Sequence, residues 1–302
     1  VAGKWRLIEK ISNGGFGVVY RAVNVFDNTI YAVKVERELM QKDSALRNEL
    51  RVYNNILRSD PNSSGTGIAR IFHYGHVDKD YRALVMQRLG PSLEDLFQYC
   101  GRSFSLKTVL MLGEQMIQRL EYLHVRNIIH QDIKPENFMM GLANGVDGAI
   151  VYIADFGLSK DFESTPPFPH KSTAPQLPQG TTRYCSVKAH RGHLQSYRDD
   201  LECLGYVLIY FLRGGRLPWC GLRNGRPTMT DEEHARAVMQ IKMSISVQKL
   251  CEGLPEEFAR YFEHICALRY GEVPRYAYLR GLFWELYRSR GYAQDNVYDW
   301  SI

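Results

Sequence analysis

No run of this 302-residue chain is apolar for long enough to cross a bilayer. The longest, YVLIYFL at 206–212, is far short of the roughly 20 residues that a spanning helix requires. No signal-peptide pattern opens the chain at Val1, and the expectation is a soluble protein, the core of something longer. The six cysteines (Cys100, Cys185, Cys203, Cys220, Cys251 and Cys266) include no C-x-x-C pair, which argues against a zinc site or a disulfide scaffold. Several fall inside apolar helical patterns and are expected to be reduced core thiols of a cytoplasmic or nuclear protein. The pattern G-x-x-x-x-G-K-[ST] occurs nowhere, so a P-loop is excluded. There is no internal repeat and no low-complexity tract. Excess charge is small as well, a net +5, and no nucleic-acid partner is expected.

What is present is a 45% apolar content, sufficient for a large core in one big domain or in two lobes sharing a cleft. Up to residue 86 the chain reads mostly as strands: RLIEKIS, VVYRAVN, IYAVKVE, RIFHYGHV and YRALVMQ are short, rich in β-branched and aromatic residues, and separated by Gly, Asn or Asp. One helix interrupts them, SALRNELRVYNNIL, with Leu46, Leu50, Tyr53 and Leu57 on one face. After Pro91 the period becomes helical, with Val109, Leu112, Met116, Leu120 and Leu123 in one segment. Leu201, Leu204, Leu208 and Phe211 form another, which stops at Gly214-Gly215. NFMMG and AIVYIADFG flank the turn signal Asp147-Gly148 and predict a hairpin with chemistry at both ends. Between Lys160 and Arg198, Lys160, Lys171, Arg183, Lys188, Arg191 and Arg198 face only Asp161 and Glu163, a basic excess suited to acidic or phosphorylated partners.

Four features carry chemistry. ISNGGFGVVY sets glycines between two strands, where backbone amides can approach phosphates. In the next strand, Ala32 and Lys34 share a face, so a small residue can lie against a flat base while an ammonium reaches its phosphates. Glu49 on the following helix is placed to pair with Lys34. HQDIKPEN then offers Asp132 to accept a hydroxyl proton, Lys134 to neutralise a moving phosphoryl group, and Asn137 as an oxygen ligand for Mg²⁺. ADFG adds Asp155 as a second hard-oxygen ligand, beside a glycine that lets the chain turn.

In this order the four features resemble a eukaryotic protein kinase. LGPSLEDLF, KTVLMLGEQMI, HQDIKPENFMMG, GTTRYCSVKAH, RDDLECLGYVLIYFLRGGRLPW and a terminal YDW make the chain similar to the casein kinase 1 family over nearly its whole length. That family carries Ser-Ile-Asn in place of the Ala-Pro-Glu of other kinases, and Ser186-Val187-Lys188 follows it. The resemblance implies an α+β, two-lobed protein kinase fold. Residues 1–86 would form an N-terminal lobe of antiparallel sheet and one helix, 87–90 a hinge, and 91–302 a larger helical lobe, with ATP between the lobes. It implies that Ser12, Gly14, Gly17, Val19, Ala32, Lys34, Glu49, Met86, Leu89 and Asp155 line the ATP site, with Met86 as gatekeeper. Asp132, Lys134 and Asn137 would be catalytic, Asn137 and Asp155 would hold Mg²⁺, and Asp200 would brace the catalytic loop. Arg183 and Lys188, helped by Arg191 and by His234 or Arg236, would bind an anion on an acidic or phosphate-primed protein substrate. The core is expected to be monomeric.

The departures are specific. Ser12 replaces the first loop glycine, Gln87 and Arg88 stand in the hinge, and residues 222–236 are longer than the family pattern. Gln131 precedes Asp132 where many kinases carry an arginine that reads an activation-segment phosphate. A neutral amide cannot make that charged, two-point pair, so the expectation is a constitutively competent kinase whose segment from Lys160 to Ser186 is ordered by its own packing. The opposing reading, a pseudokinase scaffold, rests on Ser12 and Gln131 alone.

Overall fold

The five alternating runs form one antiparallel sheet. The computed structural model describes residues 1–14, 17–37, 44–60, 65–143, 145–162, 178–224 and 228–301. In it β1 (Trp5–Gly14), β2 (Gly17–Asn24), β3 (Ile30–Arg37), β4 (Ile71–His76) and β5 (Tyr81–Gln87) lie in the order β1-β2-β3-β5-β4. The period of two on β3 turns Val33, with Tyr31 and Val35 at its edges, into a cluster of Trp5, Ala22, Ala83 and Val85. Ala32 and Lys34 are buried from the opposite face. Register places Val19 opposite Lys34 and Ala32 opposite Met86. At Gly17, φ is 126° and a Cβ would lie 2.5 Å from the Val35 carbonyl oxygen, so a side chain is excluded there.

Helix α1 (Ala45–Ser59) is capped by Ser44, whose hydroxyl accepts from the Arg47 N–H and donates to Glu36. Its buried face differs from the one the apolar period predicts. Leu46 and Tyr53 are inside, but Leu50 is half-buried and Leu57 exposed, and Ala45, Glu49, Val52 and Ile56 complete the face. The helix is rotated toward a carboxylate, because Glu49 turns inward to meet Lys34.

By contacts the chain divides into two compact units, Val1–Pro91 with Phe138–Ser159, and Ser92–Asn137 with Lys160–Ile302. Four short strands follow β5: β6 (Ile128–Ile129), β7 (Phe138–Met140), β8 (Val151–Ile153) and β9 (Lys160–Asp161). β7 and β8 are the hairpin foreseen around Asp147-Gly148, with Phe138 opposite Ile153, and Ile68 bridges to Ile153 within the first unit.

The second unit is helical. Its elements are α2 (Leu93–Tyr99), α3 (Leu106–His124), α4 (Val187–His190), α5 (Tyr197–Leu212), α6 (Asp231–Ser244), α7 (Val247–Leu250), α8 (Glu256–Ala267) and α9 (Tyr276–Ser289), with β6 paired to β9. All five residues of the periodic face of α3 are buried. α5 is buried on every side from Tyr197 to Phe211, with α3 and α8 packed against it, and it ends before Gly214-Gly215 as expected. The six cysteines are free, but only Cys185, Cys203 and Cys251 are core thiols. Cys100 and Cys220 are half-buried, and Cys266, the penultimate residue of α8, is exposed. Among the described residues no helix is long and apolar enough to cross a membrane.

Candidate active site

In the first unit, Lys34 is held between two carboxylates. Its Nζ lies 2.7 Å from Glu49 Oε2 and 2.8 Å from Asp155 Oδ1. Burial alone would lower the ammonium's pKa; Glu49 and Asp155 outweigh it and hold Lys34 above the ordinary lysine value, so it stays charged. Burial also pushes the Glu49 carboxyl up, opposed by Lys34. Asn48, which the sequence did not single out, donates to the carbonyls of Phe156, Gly157 and Ser159 at 3.2, 3.0 and 2.7 Å. Phe156 meets Tyr53 edge to face at 5.1 Å. α1 therefore positions Lys34 through Glu49 and the Asp-Phe-Gly stretch through Asn48 and Tyr53. The turn expected at the glycine of that stretch is made by Asp155, at φ 64°. Gly157 lies close to α1 instead, since a Cβ there would stand a tight 3.2 Å from Ala45 Cβ.

The residues expected around a nucleotide lie on this unit. Ser12 is on β1 opposite Val19, Gly14 is opposite Gly17, and Met86 and Leu89 are half-buried at and after the end of β5. Phe16 of the glycine loop lies outside the described residues. Gln87 uses its own side chain to accept from the Arg70 N–H at 3.3 Å.

In the second unit, Asp132 is 4% exposed and engaged on both oxygens. Oδ2 accepts from Lys134 Nζ at 2.6 Å and Asn137 Nδ2 at 3.3 Å, while Oδ1 accepts from Thr181 Oγ1 at 2.8 Å. Asn137 Nδ2 also donates to the Asp132 carbonyl at 2.8 Å. Asp200 holds this loop from beneath, accepting from the N–H of His130 at 2.7 Å and of Gln131 at 2.9 Å, with His124 Nε2 at 3.0 Å. Burial alone would raise the Asp200 carboxyl; His124, His130 and the backbone N–H overcome this and hold it below the ordinary range. Those two backbone bonds fix Gln131 at φ 67°, and its buried Oε1 has no hydrogen-bond partner.

A strand lysine paired to a helix glutamate, and a buried aspartate bonded to Lys-x-x-Asn, agree with one comparison: a model of the protein kinase domain matches residues 5–268. The chain belongs to the protein kinase family. Membership makes it a phosphotransferase fold that uses ATP and a divalent metal on protein substrates. The donors of the kinase fit that requirement. Among the described residues no group of three His, Cys, Asp or Glu side chains could hold a metal by itself. Asp155 offers a carboxylate that is 28% exposed, and Asn137, whose amide N–H₂ is turned to Asp132, has its Oδ1 as acceptor.

The basic excess beyond Lys160 is dispersed by the fold. Arg198 is buried in α5, donating to the Leu268 carbonyl at 2.7 Å, and is no part of a surface. Lys171 and Glu163 lie outside the described residues. Arg183 is exposed, with its guanidinium over Tyr184 and Tyr210 at 5.8 and 5.7 Å. Burial pushes the His234 imidazole down and the charges of Arg223 and Arg183 push it further, opposed by Asp231, which is ion-paired to Arg223. Lys188 is on α4, and its charge acts on the Cys266 thiol. Residues 225–227 of the longer segment lie outside the described residues.

Proposed function

We propose that the chain is an ATP- and Mg²⁺-dependent serine/threonine kinase of casein kinase 1 type, competent without an activating phosphate and selective for acidic or phosphate-primed proteins. The observation that carries it is Asp132, a buried carboxylate oriented at both oxygens by Thr181 and by Lys134 with Asn137. Bound Mg²⁺ would neutralise phosphate charge, with Asp155 and Asn137 as its proposed protein ligands. Lys34 binds the α- and β-phosphates, and Glu49 keeps its ammonium directed. Asp132 orients the substrate hydroxyl and accepts its proton, while Lys134 holds charge on the transferring group. Ser12, Gly14, Gly17, Val19, Ala32, Met86 and Leu89 cover and seat the nucleotide.

Substrate choice is assigned to Arg183, whose charge also reaches His234. Arg183 is exposed, its charge acts on the Glu136 carboxyl, and a guanidinium suits two-point binding of a phosphate. A phosphate arriving there would oppose the part of the His234 depression that comes from Arg223 and Arg183. A phosphoserine-primed peptide should therefore exceed its unprimed form in kcat/KM, and Arg183→Ala should cut the ratio on the order of tenfold. An unchanged ratio removes Arg183 from specificity. No transfer to any hydroxyl by wild type that still binds ATP would turn the reading to a scaffold.

Independence from phosphorylation is supported by the ties of the described parts of the segment. β9 pairs with β6, Lys160 donates to Gln179 at 3.2 Å, Thr181 is bonded to Asp132, and Ser186, fully buried, donates to Asp199 at 2.6 Å. Gln131 carries no charge to read a phosphate. Phosphatase-treated enzyme, with Thr181, Thr182 and Ser186 unmodified by mass spectrometry, should keep near-full activity. A large loss restored by rephosphorylation at one of them would show that another cation reads a phosphate there.

A further inference from the structure

Lys242, on α6, is a buried ammonium that the proposed reaction does not use. It is 4% exposed. Its Nζ donates to the carbonyls of Cys185 at 2.6 Å and Thr182 at 3.1 Å, with His190 Nε2 at 3.3 Å. The rings of Tyr206 and Trp219 lie 4.9 Å away. Its bonding partners are carbonyl dipoles and ring faces, not a carboxylate. Glu202, a carboxylate whose charge acts on it, accepts at Oε1 from the Val187 N–H and the Tyr206 hydroxyl, each at 2.8 Å. An apolar side chain of similar volume would fill this place at less cost than a buried cation. What the ammonium adds is a fixed position for two carbonyls.

Those carbonyls belong to a stretch with a role at each end. Thr181, before it, is bonded to Asp132, and Arg183, within it, presents its guanidinium over Tyr184 and Tyr210. Its far end is fixed to α5 through Ser186 on Asp199 and Val187 on Glu202. Its middle is held by Lys242 and by Trp219 Nε1, which donates to the Arg183 carbonyl at 2.8 Å. We propose that Lys242 is a positioning residue for the protein substrate: its charged ammonium holds Thr182 to Cys185 in the geometry that peptide docking requires. This rests on the kinase reading above.

Charge loss can be produced by pH as well as by mutation. Burial pushes Lys242 down to about 8, opposed by Cys185, Cys203, Glu202 and Cys220. His190 beside it is pushed down to about 3 by burial and by Lys242 itself, and is neutral. Burial raises the Cys185 thiol to about 12, and the Cys203 thiol and Tyr206 phenol well above their usual values. The ordinary lysine value is 10.5, so between about 8 and 10.5 the unfolded chain holds the extra proton and this group favours the fold more as pH rises. Over the same range its hold on the two carbonyls weakens. Peptide affinity and stability should therefore move in opposite directions, which alkaline unfolding would not produce.

The test uses an acidic serine peptide free of phosphate, histidine and cysteine. From pH 7 to 9 the charged fraction of a group with its midpoint near 8 falls about tenfold, so wild-type peptide KM should rise by up to about tenfold while ATP KM stays level. Lys242→Arg keeps its charge and should give a flat profile, and Lys242→Met should show the raised peptide KM at both pH values. At pH 7.5, trypsin should cut after Arg183 several-fold faster in Lys242→Met than in wild type or Lys242→Arg. A folded Lys242→Met with wild-type peptide KM and wild-type cleavage overturns the proposal. If Lys242→Met does not fold, identical pH profiles for wild type and Lys242→Arg overturn it instead. If wild type transfers no phosphate, the kinase reading fails and the cleavage rates still decide the role of Lys242.

Discussion

Asp132→Asn should lower kcat by about 10²–10⁴-fold while the protein stays folded. The two side chains have the same shape, and the loop around them is held from Asp200 through the backbone of His130 and Gln131, which the substitution does not touch. What changes is the acceptor set. One oxygen of Asp132 takes the Thr181 hydroxyl and the other takes Lys134 and Asn137. An amide must turn its N–H₂ toward one of these donors, so either Thr181 or the Lys134 ammonium loses its partner. No carboxylate then remains to orient a serine hydroxyl or take its proton. Phosphoryl transfer offers little covalent chemistry for a protein to assist, so position and charge are most of what can be lost. ATP KM should change little, because Lys34 and Glu49 are untouched. Steady-state rates with a serine peptide, beside a melting curve, decide it: a folded Asp132→Asn with wild-type kcat would sink the mechanism and point to a contaminating kinase.

How much of this was legible beforehand depended on the kind of interaction. The sheet was plain because half-buried strands alternate, and all five apolar runs became strands. The pairing of Lys34 with Glu49 and the candidacy of Asp132, Asn137 and Asp155 were legible because polar and charged groups stand at fixed spacing inside apolar frames. The face of α1 was misread for the same reason that makes it interesting: hydrophobic period counts Glu49 as an outward residue, and Lys34 pulls it in. Arg198 was counted as surface charge, but a guanidinium can be buried when a carbonyl such as that of Leu268 receives it. Asn48, Thr181 and Lys242 left no pattern. Asn48 and Lys242 act by donating to backbone carbonyls and Thr181 by donating to Asp132, and only the folded chain brings such partners together. Thr181 came nearest to being found, two residues before the arginine of the motif that carries it.

Lys34→Met should abolish most turnover and also destabilise the first unit, and a second substitution separates the two effects. Lys34 offsets two carboxylates, and one of them, Glu49, has a side chain only 2% exposed. Removing the cation leaves Glu49 buried and uncompensated, which costs about 3–5 kcal/mol when one partner of a buried pair is deleted. Burial already pushes the Glu49 carboxyl up, and without Lys34 to oppose it the folded value rises further. A carboxyl whose folded pKa lies above its unfolded value binds more protons when folded, so it loses stability as pH rises from the ordinary glutamate range toward the raised value. The deficit of Lys34→Met should accordingly be smaller at pH 5 than at pH 8. Adding Glu49→Gln removes the charge that Lys34 was balancing and should return much of the stability. It should return none of the turnover, because no ammonium is left to bind the phosphates. Melting curves at both pH values and single-turnover rates for the two single variants and the double variant complete the cycle. If Glu49→Gln restored the rate along with the stability, Lys34 would be a structural ion-pair partner and the nucleotide's phosphates would have to be held by something else.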